Sequence, residues 1–237
     1  MRRTLFAQLP ACVILLKMSA KSPKKARPRT APDLSPCLEE TSLSAIAVLL
    51  RGPTIEDARV RDADLTGKKL TGFTAKNSLI ERVSFAGCAI SSLHLRDVRL
   101  VKCDFSNAIL RGFNATRVEF IDCRLIGMKA SECRWQDVLV ENCDARYTQL
   151  NGGRIHNCEF KASQFEEADF RATDFEGTAF VRVTLDRADL SGSRLRNADL
   201  SGAGIEGIIV RPEDVRGAIV SPAQAMELAR LLGIIIK

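Results

Sequence analysis

From Leu65 to Ile205 every fifth residue is apolar, and no insertion or deletion breaks the count. Phe85, Phe105, Trp135, Phe160 and Leu200 show how these centres are filled. Two residues before each centre runs a second column of small, apolar or hydroxylated residues, such as Ala63, Cys88, Cys103, Cys123 and Ala188, whose only charge is Lys68. Side chains alternate faces along an extended backbone, so residues two apart point the same way and both columns face one interior. The other charges occupy the three remaining positions. Two residues after each centre, ten of the chain's fifteen glycines recur, together with Asn77, Asp97, Asn107, Asp122, Asp137, Asn142, Asn157 and Asn197. These residue types tolerate turns and positive φ, so each unit reads as a short extended edge followed by a corner. A period of five does not match 3.6 and is too short for a helical hairpin, which excludes the helical solenoids.

At Ala63-Asp64-Leu65-Thr66-Gly67, Ala188-Asp189-Leu190-Ser191-Gly192 and Ala198-Asp199-Leu200-Ser201-Gly202 the chain resembles the pentapeptide-repeat family, whose pattern is A-(D/N)-L-x-x. The resemblance covers about 145 of 237 residues. It implies an all-β fold, a right-handed quadrilateral β-helix with four pentapeptides per coil and short terminal helices, in which residues twenty apart stack. Volume is traded between the two inward columns: Phe73 goes with Ala75, Phe113 with Ala115 and Met128 with Ala130. Interiors close-pack, so this trade predicts a filled core. Phe165, Phe170, Phe175 and Phe180 then take the four sides of one coil.

The segments outside the repeat read differently. Residues 1–33 form a basic tail expected to be disordered, since it lacks periodicity and is rich in Lys, Arg, Pro, Ser and Ala. Its apolar run from Ala11 to Leu16 falls short of the roughly twenty residues a membrane helix needs. A secretory signal and an organelle transit peptide are both open readings of this basic, acid-free start; the favoured one takes Met18 as the true start, with residues 1–17 upstream of it. In residues 34–52, Ser35 and Pro36 read as a helix N-cap and first-turn proline, opening a helix that lids the first coil. The β-helix occupies 53–210, its frame starting at Ile55, Val60 or Leu65. Residues 211–237 hold a second helix, capped by Ser221, opened by Pro222 and closed by Gly233. This end resembles the C-terminal module of the quinolone-resistance pentapeptide-repeat proteins. What that resemblance implies is a homodimer joined through Ala225, Leu228, Leu232, Ile234, Ile235 and Ile236; a plain end cap on a monomer remains the alternative.

The formal charge of +6 is unevenly spread. Residues 1–50 carry eight Lys/Arg against three acids, while 51–210 carry 23 against 23. The tail element Ser22-Pro23-Lys24-Lys25 resembles the SPKK motif of linker-histone tails, so Lys24, Lys25, Arg27 and Arg29 are the candidate nucleic-acid contacts, against the simpler reading of a solvated basic run. Six of eight cysteines lie in the inward column as compact apolar filler. Reduced thiols in a bacterial cytoplasm fit that use. No Cys-x-x-Cys, no His at zinc spacing, no phosphate loop and no nucleophile elbow is present, so no metal, cofactor or enzymatic activity is expected.

These observations favour a non-enzymatic protein-interaction scaffold with an unidentified protein partner and no membrane association. The side centred on Ile80, Leu100, Phe120, Val140, Phe160, Phe180 and Leu200 carries Leu79, Val101, Ile121, Leu139 and Val181 at outward positions, and exposed contiguous apolar surface suggests a partner site. Scattered aliphatics, or cover by a terminal helix, are the alternative. The quinolone-resistance resemblance raises a second reading, a DNA mimic that binds a type II topoisomerase. About seven coils span roughly 35 Å, a length of duplex bearing about twenty charges. The most acidic side offers only Asp64, Asp104, Asp144, Glu166, Glu167, Asp186 and Glu206 against Arg124, Arg146 and Arg187. A third reading is a nucleic-acid-associated protein working through the tail.

Overall fold

A computed structural model describes residues 27–41, 54–231 and 233–235. Its organising feature is a parallel register of twenty. Thr54–Glu56 pairs with Phe73–Glu81, which pairs with Leu93–Val101 and then Phe113–Ile121, each residue opposite the one twenty further on. The ladder continues through Leu139–Glu141, Glu159–Lys161, Ala179–Thr184 and Asp199–Gly204. Lys69–Leu70, Ala89–Ile90 and Ile109–Leu110 form a second, three-stranded sheet in the same register. Single bridges extend it around the remaining sides, as far as Asp199 opposite Ile219. The result is a β-solenoid of about eight coils with one short helix. Its frame starts at Ile55, opposite Ala75, and it runs nine residues beyond 210.

The corners lie where the third column places them. All twenty non-glycine residues with positive φ among the described residues stand two after a centre, and they include Arg82, Lys102, Glu132, Tyr147 and Ala162 as well as Asn and Asp. The coil therefore imposes the left-handed conformation on residues that disfavour it. Gly202 departs from expectation. It lies inside a strand, at a register shift opposite Val181, where a Cβ would approach Phe180 O to 3.0 Å.

Both inward columns are buried, and they meet on the axis. Phe165, Phe170, Phe175 and Phe180 form one aromatic layer with successive ring centroids 5.6, 5.3 and 5.4 Å apart. Phe85 stacks on Phe105 at 4.6 Å. Lys68 is the exception in its column; it is exposed, turned away from the interior.

The small column does more than fill space. Cys88 Sγ donates to Leu65 O, Cys123 Sγ to Leu100 O, Thr173 Oγ1 to Leu150 O and Thr178 Oγ1 to Ile155 O, always reaching back 23 residues. Cys, Ser and Thr suit this column because each is small and can donate to a buried carbonyl; Thr148 Oγ1 donates instead to Ala145 O within its own coil. All seven described cysteines are free. Burial pushes the Cys133 thiol up to about 12 and raises the Cys88 and Cys158 thiols as well.

Two terminal expectations divide. The helix at Ser35 does not form over the described residues: Pro36 and Cys37 make a bend, and Glu39–Thr41 is a strand parallel to Ala58–Arg61. Pairing to the first coil's edge satisfies more backbone groups there than a cap would. Residues 42–52 of that expected helix lie outside the described residues. At the other end the helix Pro222–Leu231 forms. Ser221 N donates to Gln224 Oε1, Gln224 N donates to Ser221 Oγ, and Gly233 closes the helix at φ 71°.

Two substitutions should move stability in opposite directions. Ala162→Gly relieves a left-handed alanine and should stabilise by about 1 kcal/mol. Gly153→Ala places a Cβ 2.9 Å from both Cys133 Sγ and Leu150 O and should cost about 1–3 kcal/mol. Denaturant titration measures both, and shifts of the same sign would contradict the corner and column assignments. Thiol labelling at pH 8 should modify exposed Cys37 in the native protein while the six inward cysteines react only on unfolding; native-rate labelling of those six would contradict their burial.

Candidate functional site

A filled axis leaves the outer faces as the surfaces on which chemistry or recognition can take place. The side carrying Leu79, Val101, Ile121, Leu139 and Val181 is not the open apolar surface expected. Leu139 is buried, Leu79, Val101 and Ile121 are half-buried, and only Val181 is exposed. Val101 and Ile121 do stack as neighbours, but Glu81 and Glu141 bracket them in the same ladder. Glu119, which pairs with Leu139, is buried at an equally outward position.

The corner beside this side is occupied by another stretch of the chain, residues 27–41, whose first part, 27–33, composition marked as disordered. It lies on the solenoid and descends it coil by coil. Arg29 Nη2 donates to Glu119 Oε1 at 2.8 Å, and Thr30 N donates to Asp137 Oδ1 at 3.2 Å. Asp33 N then donates to Asp97 Oδ1 at 3.2 Å and Ser35 N to Asn77 Oδ1 at 2.8 Å. Burial opposes ionisation of Asp97, yet the Arg117 guanidinium and the Asp33 N–H outweigh it and hold the carboxyl below its usual range. Arg29 is thus committed within the chain and is not a free tail contact. Arg27 is exposed, and Lys24 and Lys25 lie outside the described residues.

A surface that sorting by sides does not reveal straddles the corner at Gly112 and Glu132. Ile109, Arg111, Asn114, Lys129, Glu132 and Arg134 border an open groove of about 540 Å³. Arg154 stacks on Arg134 in register, cation over cation. No ion pair among the described residues includes Arg111, Lys129, Arg134 or Arg154. Like charges directly opposite in a ladder repel, a cost that an anionic ligand would relieve. Stacking residues twenty apart across a corner, rather than along one side, is the signal that finds this groove. On the acidic side, by contrast, Asp144 is paired with Arg146 at 2.8 Å and Glu167 with Arg187 at 3.1 Å.

The C-terminal helix faces the last coil with Gln224 and Leu228, not with Ala225, which is exposed. Buried Gln224 Nε2 donates to Leu200 O and Ala203 O, both at 2.7 Å, satisfying carbonyls at the top of the ladder. Beside it Pro212, Val215, Ala218, Val220, Ala225, Leu228 and Ala229 line an apolar cleft of about 290 Å³, so Ala225 and Leu228 share one surface. Ile234 and Ile235 stand exposed; the side chains of Leu232 and Ile236 lie outside the described residues. His94 and His156 lie three coils apart, His94 against Ser92 and His156 near Asp174. Among the described residues no cluster of His, Cys, Asp or Glu is arranged to hold a metal ion, and no helix is long and apolar enough to cross a membrane.

Two family models match the chain, a pentapeptide repeat region over residues 93–170 and pentapeptide repeats in eight copies over residues 163–202. No curated protein matches at a significant level. Among solved structures the chain is similar to HetL, a pentapeptide repeat protein involved in heterocyst differentiation regulation from the cyanobacterium Nostoc sp. strain PCC 7120. Identity is 20%, over 72% of this chain and 90% of that one, with a TM-score of 0.32. Full-length QnrB1, a plasmid-mediated fluoroquinolone resistance protein, is 20% identical over 83% of this chain and 95% of its own, with a TM-score of 0.33. Scores this low leave the architecture resting on the chain's own hydrogen-bond register. The repeat matches cover residues 93–202 and fall on that twenty-residue ladder, so this stretch of the chain is a pentapeptide-repeat region.

Proposed function

We propose that this protein is a non-enzymatic interaction scaffold that takes an acidic segment of a protein partner across the corner groove. The observation that carries this reading is the convergence of Arg111, Lys129 and Arg134, three cations outside any ion pair among the described residues, on one concave surface whose one acid is Glu132, with Arg154 stacked on Arg134 just beyond its edge. The packed interior supports it, since binding energy has to come from the outer faces. A protein partner is favoured over nucleic acid because residues 51–210 are charge-balanced, 23 against 23, so the positive field stays local. The DNA-mimic reading draws little support from an acidic side whose carboxylates are partly paired with arginine.

Exposed ion pairs contribute about 0.2–1 kcal/mol each, so four give a modest, salt-sensitive affinity. A labelled peptide with a run of ten glutamates serves as the probe, read by fluorescence anisotropy at about 50 and 150 mM salt. The wild type should bind it more tightly at low salt, and Arg134→Glu/Arg154→Glu should weaken binding at least tenfold. Equal binding by the variant would refute the groove. Preference for a duplex DNA of equal charge would move the assignment to nucleic acid.

We further propose end-to-end pairing of two copies at the C-terminal end, supported by exposed Ile234 and Ile235 beside the apolar cleft. Sedimentation equilibrium should show a dimer for the wild type and a monomer for Ile234→Lys/Ile235→Lys. A wild-type monomer at micromolar concentration would end that idea.

A further inference from the structure

Among the described residues, the corner column that begins at Asp57 and runs through Asn77, Asp97 and Asp137 differs from the others in what it faces. It receives a second stretch of the same chain, lying across the coils rather than along them. Coils rise about 4.8 Å and extended backbone about 3.3 Å per residue, so three residues span two coils. The contacts keep that proportion: Thr30 N reaches Asp137, and three residues later Asp33 N reaches Asp97, two coils below. The acceptors are side-chain oxygens at left-handed corners, held in place by their own ladder. Arg117 clamps Asp97 through two bonds, and Asn157 donates to Asp137.

The strap is built to match. Its prolines avoid the donating positions 30, 33 and 35: Pro32 falls between the first two, and Pro28 and Pro36 flank the set, where no N–H is required. Proline there favours the extended conformation and lowers the entropy lost on docking. Arg29 supplies the one deep contact. Its side chain is 14% exposed, and it reaches a carboxylate on Glu119 that is 6% exposed and already bonded by Arg99 Nε at 2.7 Å. A carboxylate flanked by two guanidiniums, buried on an outward face, is an arginine socket rather than a surface ion pair.

We propose that this corner is a peptide-recognition groove for an extended Arg-x-x-Pro segment, and that Arg29-Thr30-Ala31-Pro32 is its built-in occupant, displaceable by a partner carrying the same spacing. Backbone donors read the corner acceptors, the arginine fills the Glu119 socket, and the proline fixes the intervening turn-free backbone. Displacement opens Glu119 and the corner acceptors Asp137 and Asp97. The groove lies at a different corner from Arg111, Lys129 and Arg134, so either site can fail without the other.

The test uses the full chain. A labelled peptide with the sequence of residues 27–38 is titrated by fluorescence anisotropy into wild type and into Arg29→Ala, whose own strap is weakened. Tethering gives the internal strap an effective concentration of order millimolar, so the peptide should bind Arg29→Ala at least tenfold more tightly than wild type. Replacing the peptide's arginine by alanine, or adding Glu119→Gln to the Arg29→Ala chain, should each weaken binding at least tenfold. Circular dichroism checks that the coil persists; if the Glu119 variant unfolds, Asp137→Gly, which suits the left-handed corner, replaces it. Independently, amide exchange at Thr30, Asp33 and Ser35 should be at least tenfold faster in Arg29→Ala than in wild type. Equal binding to both chains, indifference to the peptide's arginine, no binding at about 1 mM, or unchanged amide exchange would overturn the proposal.

Discussion

Everything in this molecule follows from the demand that two inward columns fill a coil that closes every twenty residues. Extended edges give two inward positions per side, and a corner must then turn the chain before the next side begins. Because the axis is solid, each coil rests on the one below through parallel backbone bonds, aromatic stacking and the thiol or hydroxyl bonds of the small column. No single coil buries its own faces. Stability is therefore a property of the stack, as in other quasi-one-dimensional repeats.

The same constraint decides where recognition can occur. Regular corners repeat every coil, so any side-chain type placed in one column becomes a ladder about 4.8 Å apart. One such ladder holds acceptors that receive the strap, and another corner gathers unpaired cations. The ends are handled by different means. Glu39–Thr41 pairs with the first coil, while Gln224 bonds carbonyls at the last. Both devices blunt edges that would otherwise be open to further strands.

Much of this was legible in the sequence because the repeat makes a local pattern global. The inward columns, the phenylalanine layer, the corner column and the Ser221 cap all rest on spacing or on local capping chemistry. What was not legible depended on contacts between distant residues. Arg29 and Pro32 look like parts of a solvated tail until Glu119 and Asp137 are known to stand beside them. Ser35 and Pro36 satisfy the local rule for a helix start, but the first coil's unpaired edge competes for the same chain and prevails. Leu139 reads as exposed from its column and is buried. The groove at Arg134 and Arg154 escaped a sorting by flat sides because it wraps a corner. At the other end the buried contact of Gln224 with Leu200 O and Ala203 O was not legible either, because it joins residues 21 and 24 apart.

The most direct test of the closed twenty-residue coil is a set of distances along one outer column. Spin labels are attached through cysteines introduced at Thr71, Ser91 and Ser191, with Cys12 and Cys37 replaced by serine and the inward thiols left in place. Pulsed dipolar spectroscopy on the 91/191 and 71/191 pairs should give about 24 and 29 Å, a step of about 4.8 Å for one added coil. Distances that do not lengthen with the coil count, or that spread over many values, would contradict a stacked solenoid.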